Sequence, residues 1–261
     1  MTTQAPFDAA AAGYDAQFSD SRLGRMLRDS VRRLLGDFGP GQRVLEIGCG
    51  TGADAVWLAE RGVDVVASDQ SPAMLETTRK RATKAGVDLQ TAVVDIGALP
   101  DGLDNRLFDG VISNFGPLNC VADRKPLARW LAERCAPGAR LVLVVMGPIC
   151  PWEIGWYALA GDLRSATRRF RSGGIAHAGG GGEVRVWYPS PRKLRAEFAE
   201  FFEPIGTRGV GVLLPPSDAA HVVDRAPRLF NTLGRIERRI DRLPGVPWLG
   251  DHYVQVFLRR P

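Results

Sequence analysis

Short apolar runs alternate with amphipathic stretches along the first 147 residues of the chain. Leucine and valine recur at three- and four-residue spacing over 21–38, which predicts a helix, and another helix is predicted over 7–18. Five short β-rich runs follow, at 43–47, 63–68, 89–94, 108–113 and 141–146. Helices are predicted between them, after the glycines at 48–52, over 71–85 and over 125–135. This repetition of strand, helix and strand predicts a parallel sheet with helices on both faces.

The pattern is less regular in the second half of the chain. The elements predicted there are a helix over 151–170, a glycine-rich loop over 172–182, a strand over 184–188 and a helix over 190–202. They are followed by a strand over 207–214, a basic helix over 227–243 and a final strand over 252–258. Prolines flank residues 215–248, which marks that stretch as an insertion.

Composition narrows the class of protein. The 261 residues carry 34 basic and 29 acidic side chains, a net charge of +5, and 45% of them are apolar, as in globular chains. Four cysteines without paired spacing predict neither a disulfide scaffold nor a metal site. A start without a basic and apolar leader, and the lack of any apolar run of about 18 residues, predict a cytoplasmic protein. The small charge surplus, without a basic stripe, predicts no nucleic-acid partner.

Glycines and carboxylates gather where the predicted strands end. Gly48 and Gly50 permit a tight turn before a helix N-terminus, which attracts carboxylates and phosphates. Asp69 ends the second strand, where an acidic side chain can accept hydrogen bonds from both hydroxyls of a ribose. The turn also satisfies a dinucleotide fingerprint, which leaves an NAD(P)-dependent oxidoreductase open. Glu46 and Asp95 add carboxylates that a pyrophosphate does not require but a cationic ligand favours.

In combination these segments resemble the class I S-adenosylmethionine-dependent methyltransferases. The segments that carry the resemblance are 44–52 (VLEIGCGTG), 69–75 (DQSPAML), 95–96, 108–114 and 7–15. The likeness covers about 7–147 and the closing strand. It implies a Rossmann-like α/β fold, with a seven-stranded, mostly parallel sheet whose last strand is antiparallel. It also implies S-adenosylmethionine as cofactor. We expect one domain over 1–261, composed of a helical cap (1–38), a cofactor-binding core (39–147) and two substrate-pocket insertions (148–189 and 215–248).

The resemblance also implies which residues hold the methionyl and ribose parts of the cofactor. The backbone of Gly48, Cys49 and Gly50 would wrap the methionyl part, and Cys49 itself is expected to be a small apolar filler. The carbonyl of Asn114 would face the methionyl amine, and Asp69 would hold the ribose hydroxyls.

A second set of implied residues surrounds the adenine. Gln70 and Met74 would flank the ring. Asp95 would accept a hydrogen bond from the adenine amino group, and Ile96 would supply a backbone donor and an apolar wall. Tyr14 would close over the cofactor from the N-terminal helix.

The acceptor is expected to be a small or medium metabolite, largely apolar or aromatic. A general base is needed only if the acceptor keeps its proton at neutral pH. The candidates are Glu153, on the helix expected to border the acceptor pocket, and His177, in the glycine-rich loop. His221 and His252 are interpreted as surface or packed histidines. A protein that binds S-adenosylmethionine without catalysis also remains open, and the sequence predicts no oligomeric state.

The insertions contain a group of aromatic residues and a pair of arginines. For each group the sequence leaves two roles open. The aromatic residues either wall an acceptor pocket or form a satellite core; they are Trp152, Trp156, Tyr157, Trp187, Tyr188, Phe230 and Trp248. Arg164 and Arg168 either bind a substrate carboxylate or phosphate or face solvent. The helix over 227–243 is favoured as a lid packed on the core over a helix resting on an anionic membrane. The segment 114–117 lacks the Asn/Asp-Pro-Pro-aromatic pattern, which disfavours N-methylation of DNA, adenine and glutamine.

Overall fold

A computed structural model describes residues 5, 7–9, 11, 13–15, 19–99, 103, 106–171, 173–177 and 183–261. The predicted helix over 7–18 lies partly outside them. The first five strands are β1 (Arg43–Ile47), β2 (Asp64–Asp69), β3 (Gln90–Val93), β4 (Phe108–Ser113) and β5 (Cys135–Met146). The helices among them are α1 (Arg22–Leu35), α2 (Ala53–Ala59), α3 (Pro72–Ala85) and α4 (Lys125–Arg134). These elements follow the predicted order closely.

The second half of the chain adds five helices and four strands within the described residues. The helices are α5 (Pro151–Leu159), α6 (Leu163–Ala166), α7 (Pro191–Phe198), α8 (Ala220–Arg225) and α9 (Pro227–Ile240). The strands are β6 (Gly174–His177), β7 (Glu183–Val186), β8 (Phe202–Val210) and β9 (His252–Arg259).

Seven of the strands form one sheet in the order β3-β2-β1-β4-β5-β9-β8. Neighbours from β3 to β5 pair in parallel, whereas β9 pairs antiparallel with both β5 and β8. The predicted Rossmann-like sheet with an antiparallel last strand is therefore confirmed. β6 and β7 form a separate antiparallel hairpin, so the segment predicted as a loop over 172–182 contributes a strand at its start.

Two apolar cores lie on opposite faces of the sheet. Alternate residues of β1 face them: Val44 joins the core under α1, and Leu45 joins the core under α4. All five residues of β1 are buried, which is typical of a central parallel strand covered on both faces.

The predicted helix over 151–170 is wrong, because the chain turns sharply after α5. Gly161 has φ +77°, a left-handed conformation that favours glycine. The Asp162 carboxylate then accepts a hydrogen bond from the Ser165 amide at 3.0 Å and caps the short helix α6. The break turns the arginines at 168 and 169 back toward α5.

The predicted boundary between the helix over 190–202 and the strand over 207–214 is also wrong. α7 ends at Phe198 and β8 begins at Phe202. β8 is an edge strand, and residues 203–206 are exposed, so they lack the apolar alternation by which a strand is predicted. Among the described residues no helix is long and apolar enough to cross a membrane.

Candidate cofactor and acceptor site

A cavity of about 750 Å³ opens at the carboxyl ends of β1, β2 and β4, the usual ligand position in an open parallel sheet. All ten residues predicted to bind the cofactor line it: Tyr14, Gly48, Cys49, Gly50, Asp69, Gln70, Met74, Asp95, Ile96 and Asn114. Of the two predicted bases, Glu153 lines the same cavity. His177 ends β6, and its side chain lies outside the described part of the chain.

The glycine loop after β1 uses left-handed backbone conformations that favour glycine. Gly48 has φ +65°, and a Cβ there would lie 2.2 Å from Pro117 Cγ. Gly50 has φ +54°, and a Cβ added there would have no heavy atom within 4 Å. Burial raises the pKa of the Cys49 thiol well above its usual value, so the thiol stays protonated and the residue offers its backbone to the cavity.

Asp69 connects the glycine loop to α3. Its Oδ2 accepts from the Gly50 amide and its Oδ1 from the Ser71 amide, each at 2.9 Å. Burial raises the pKa of this carboxyl, although the amide donors oppose the effect. Each carboxylate oxygen has a second acceptor position, so Asp69 can hold the loop and still accept from a ligand.

Two buried oxygens in the cavity wall lack hydrogen-bond partners within the described residues. They are Glu46 Oε2 and Asn114 Oδ1. Asn114 Nδ2 donates to Asp54 at 2.7 Å, which leaves its oxygen for another donor. Burial, with Asp54 adding to it and Arg28 opposing it, raises the pKa of Glu46 well above its usual value. Unsatisfied buried acceptors indicate a ligand that donates.

The sequence interpretation missed Arg28, which reaches the cavity from α1. Its guanidinium donates to Asp54 and lies 5.4 Å from the centre of the Phe115 ring. Its Nε is buried without a hydrogen-bond partner among the described residues. The available signal was a basic residue beside Leu27 and Val31, on the buried face of an amphipathic helix.

Glu153, one of the two candidate bases, is held by two arginines. Arg168 Nε donates to its Oε1 at 2.8 Å, and Arg169 Nη2 donates to its Oε2 at 2.7 Å. Arg169 also donates to the Asp251 carboxylate. A carboxylate engaged by two guanidinium groups positions those groups.

His252 lines the same cavity as Glu153. It is buried in the cavity wall, with Nδ1 3.1 Å from Asp251 Oδ2 and its ring edge against Phe115 at 5.2 Å. Burial alone would raise the pKa of Asp251, but His252 and Arg169 outweigh it and hold the pKa well below its usual range. An ionised Asp251 carboxylate thus lies beside Nδ1 of the imidazole. His252 is therefore a packed histidine that also lines the cavity.

The aromatic residues of the insertions divide between the cavity and the core. Tyr157 and Tyr188 line the cavity. In contrast, Trp152 packs on Phe230 with ring centres 6.2 Å apart. Trp156 packs against His221 instead, with ring centres 5.5 Å apart. Both interpretations of the sequence thus hold, for different residues.

Known methyltransferases resemble the part of the chain that carries the glycine loop. Residues 44–138 match the family model described as "Methyltransferase domain". A demethylmenaquinone methyltransferase from Renibacterium salmoninarum is 37% identical over 142 residues, which are 53% of this chain and 56% of that protein. Residues 44–138 are therefore a methyltransferase domain of the class I S-adenosylmethionine-dependent type. This match disfavours the oxidoreductase alternative.

Solved structures share the fold of this chain over most of its length. The CcbJ methyltransferase from Streptomyces caelestis is similar with a TM-score of 0.64 at 16% identity, covering 99% of each chain. The N-methyltransferase NodS from Bradyrhizobium japonicum WM9, in complex with S-adenosylhomocysteine, has a TM-score of 0.56 at 16% identity. It covers 93% of this chain and 89% of its own. This chain spans 56% of the length of its Renibacterium relative.

The cavity has two chemically different parts. Glu46, Asp69 and Asn114 place acceptor oxygens around the glycine loop. Tyr157 and Tyr188 line the cavity beside Arg168 and Arg169, on the side of β5 and β9. The first part fits a cationic nucleoside, and the second fits an aromatic or apolar molecule.

Proposed function

We propose that this methyltransferase transfers a methyl group from S-adenosylmethionine to a small, largely apolar or aromatic acceptor of the quinone or quinol type. The observation that carries the proposal is the pair of unsatisfied buried oxygens, Glu46 Oε2 and Asn114 Oδ1, in a cavity that also has an aromatic part. The methionyl ammonium of the cofactor supplies the cationic donor that these oxygens require.

The binding roles follow from the surrounding contacts. Glu46 and Asn114 would accept from the methionyl ammonium, and Arg28 would receive the methionyl carboxylate. Asp69 would accept from the ribose hydroxyls while it keeps the glycine loop in place. Asp95, at the carboxyl end of the neighbouring strand, would accept from the adenine amino group.

The acceptor class is supported by the relative and by the cavity. The Renibacterium relative is named for demethylmenaquinone, an aromatic ring system. Tyr157 and Tyr188 offer flat apolar faces to the cavity. Phe115, which contacts both Arg28 and His252, also lines the cavity.

His252 is proposed as the residue that takes the acceptor's proton. When bound, the cofactor supplies a methyl group activated by the positive charge of its sulfonium. The acceptor must then present an electron-rich atom, and loss of a hydroxyl proton to His252 Nε2 would create one. Asp251 would stabilise the protonated imidazole from 3.1 Å.

Replacing Asp69 tests the cofactor site. Calorimetry is expected to show S-adenosylhomocysteine binding to the wild-type protein and no comparable binding of NAD⁺. Asp69→Ala should weaken S-adenosylhomocysteine binding by about 1.5–3 kcal/mol, since it removes hydrogen bonds to a charged group. Asp64→Ala, at the other end of β2 and paired with Arg43 and Arg106, is the matched control and should leave the affinity unchanged. Equal affinities of both variants would contradict the ribose role.

An acceptor assay tests the chemistry. With methyl-labelled cofactor, a naphthoquinol without a ring methyl should be labelled at a rate well above that of DNA or a peptide. Labelling that depends on the reduced quinol, and not on the oxidised quinone, would agree with loss of a hydroxyl proton. Cofactor binding with no labelled product from quinols or phenols would instead favour the non-catalytic alternative.

A further inference from the structure

Three large apolar side chains are exposed on one short segment beside the cavity. Leu159 is 92% exposed, Leu163 67% and Phe170 60%. We call residues 159–171 the apolar tip. Tyr157, two residues before the tip, and Arg168, within it, line the cavity, so the tip stands at the rim of the cavity.

The tip is held in this exposed arrangement by local structure. The left-handed turn at Gly161 and the cap that Asp162 makes to Ser165 fix the change of direction between α5 and α6. Behind it, Arg169 anchors the segment to Glu153 and Asp251 in the interior. Apolar groups that a rigid turn keeps in water cost free energy in the isolated protein, and such patches mark interaction surfaces.

The charges around the tip are positive. Within residues 159–171 the basic residues are Arg164, Arg168, Arg169 and Arg171, and Asp162 is the one acidic residue. Arg164 and Arg171 are exposed, whereas Arg169 is buried in its ion pairs. The surface that a partner meets is therefore apolar and cationic.

A second cationic surface lies on α9, a helix that ring contacts connect to α5. The contacts of Trp152 with Phe230 and of Trp156 with His221 hold α9 and α8 against α5. The exposed arginines of α9 and of the turn after it are Arg228, Arg235, Arg238, Arg239 and Arg242.

The acids that dilute this surface in the sequence are turned inward. Glu237 is buried and accepts from the amides of Gly211 and Leu213 at 2.9 and 2.8 Å. Asp241 is buried near Arg208, at 3.6 Å. The exposed side of α9 is thus more positive than the sequence interpretation allowed, although the helix does pack on the core through Phe230.

We propose that the apolar tip binds the surface of an anionic phospholipid membrane. Leu159, Leu163 and Phe170 would enter the interface between headgroups and acyl chains, and the arginines of the tip and of α9 would face the anionic headgroups. An apolar surface alone would suit many partners, but the combination with arginines matches an anionic bilayer in charge. Membrane binding by the tip does not depend on the proposed function. Only the further idea that a lipid-soluble acceptor enters the cavity through its rim rests on the proposed function.

Vesicle co-sedimentation tests the proposal. The wild-type chain is expected to sediment with vesicles of phosphatidylglycerol and phosphatidylcholine. The bound fraction should be about tenfold lower with pure phosphatidylcholine vesicles, and also in 1 M salt, because charges are then screened within about 3 Å. The variant Leu159→Ser/Leu163→Ser/Phe170→Ser, and separately Arg164→Glu/Arg171→Glu, should bind the anionic vesicles at least about tenfold more weakly. Leu107→Ser, at an apolar residue 50% exposed elsewhere, is the matched control and should bind like the wild type.

Two results would overturn the proposal. One is tip variants that retain binding to anionic vesicles. The other is a wild-type protein that does not bind the vesicles and is a dimer in sedimentation equilibrium, while the triple serine variant is a monomer. In that case a second copy of the chain would cover the tip. S-adenosylhomocysteine affinity, measured on the same variants, should be unchanged and shows that they fold. Failure of the acceptor assay would leave these vesicle results intact, so the two proposals fail separately.

Discussion

His252→Ala is expected to lower kcat with a quinol acceptor by about 10²–10⁴-fold, the usual contribution of a general base. The Kd of S-adenosylhomocysteine should change little, because none of the proposed cofactor contacts falls on His252. The effect follows from its position: a buried imidazole that lines the cavity, with a carboxylate 3.1 Å from Nδ1 that would stabilise the protonated ring.

Two controls separate proton transfer from a structural effect of the substitution. His221→Ala removes an exposed histidine on α8 and should leave kcat unchanged. With a more acidic phenol, which is already ionised at the assay pH, the deficit of His252→Ala should shrink, since no proton needs to be removed. A deficit of the same size for ionised and neutral acceptors would show that His252 only shapes the cavity.

The cofactor half of the molecule was predictable because its signals are local. Each strand from β1 to β4 carries its own apolar run and ends in a polar residue or a glycine, so the end of the strand also places the site residue. Parallel pairing then brings Asp69, Asp95 and Asn114 to one edge without further information. Ser71 as N-cap and Pro72 at the first helical position likewise predict where α3 begins.

The acceptor half was less predictable because its contacts are long-range. The sequence predicts one continuous helix over 151–170 and therefore misses the turn at Gly161. That turn brings Arg168 and Arg169 against Glu153. Asp251 lies 82 residues beyond Arg169 in the chain. Nothing in the local pattern indicates that these groups meet, so the sequence offers Glu153 as a candidate base without its arginine partners.

Arg169→Met is expected to lower the free energy of unfolding by about 3–5 kcal/mol, the range for removing one partner of a buried ion pair. The wild-type guanidinium is buried and donates to both Glu153 and Asp251, and to the carbonyl oxygens of Gly147 and Asp251 at 3.1 and 2.8 Å. Methionine fills much of the volume but leaves two carboxylates without these donors. Arg171→Met, an exposed arginine two residues away, is the control and should change stability by less than about 0.5 kcal/mol. Urea unfolding at neutral pH measures both.

The pH dependence of the stability difference between the wild type and Arg169→Met tests whether the charges cause it. Asp251 has a pKa held below its usual range in the folded protein, so it stabilises the fold above the ordinary aspartate pKa of about 3.9 and this contribution is lost as the pH falls below it. Without Arg169 the pKa of Asp251 should rise, and protonation then relieves the unpaired charge. The stability gap between the wild type and Arg169→Met should therefore narrow from pH 7 toward pH 4. A gap of constant size over this range would mean that packing around the side chain, and not its charge, stabilises the acceptor half of the site.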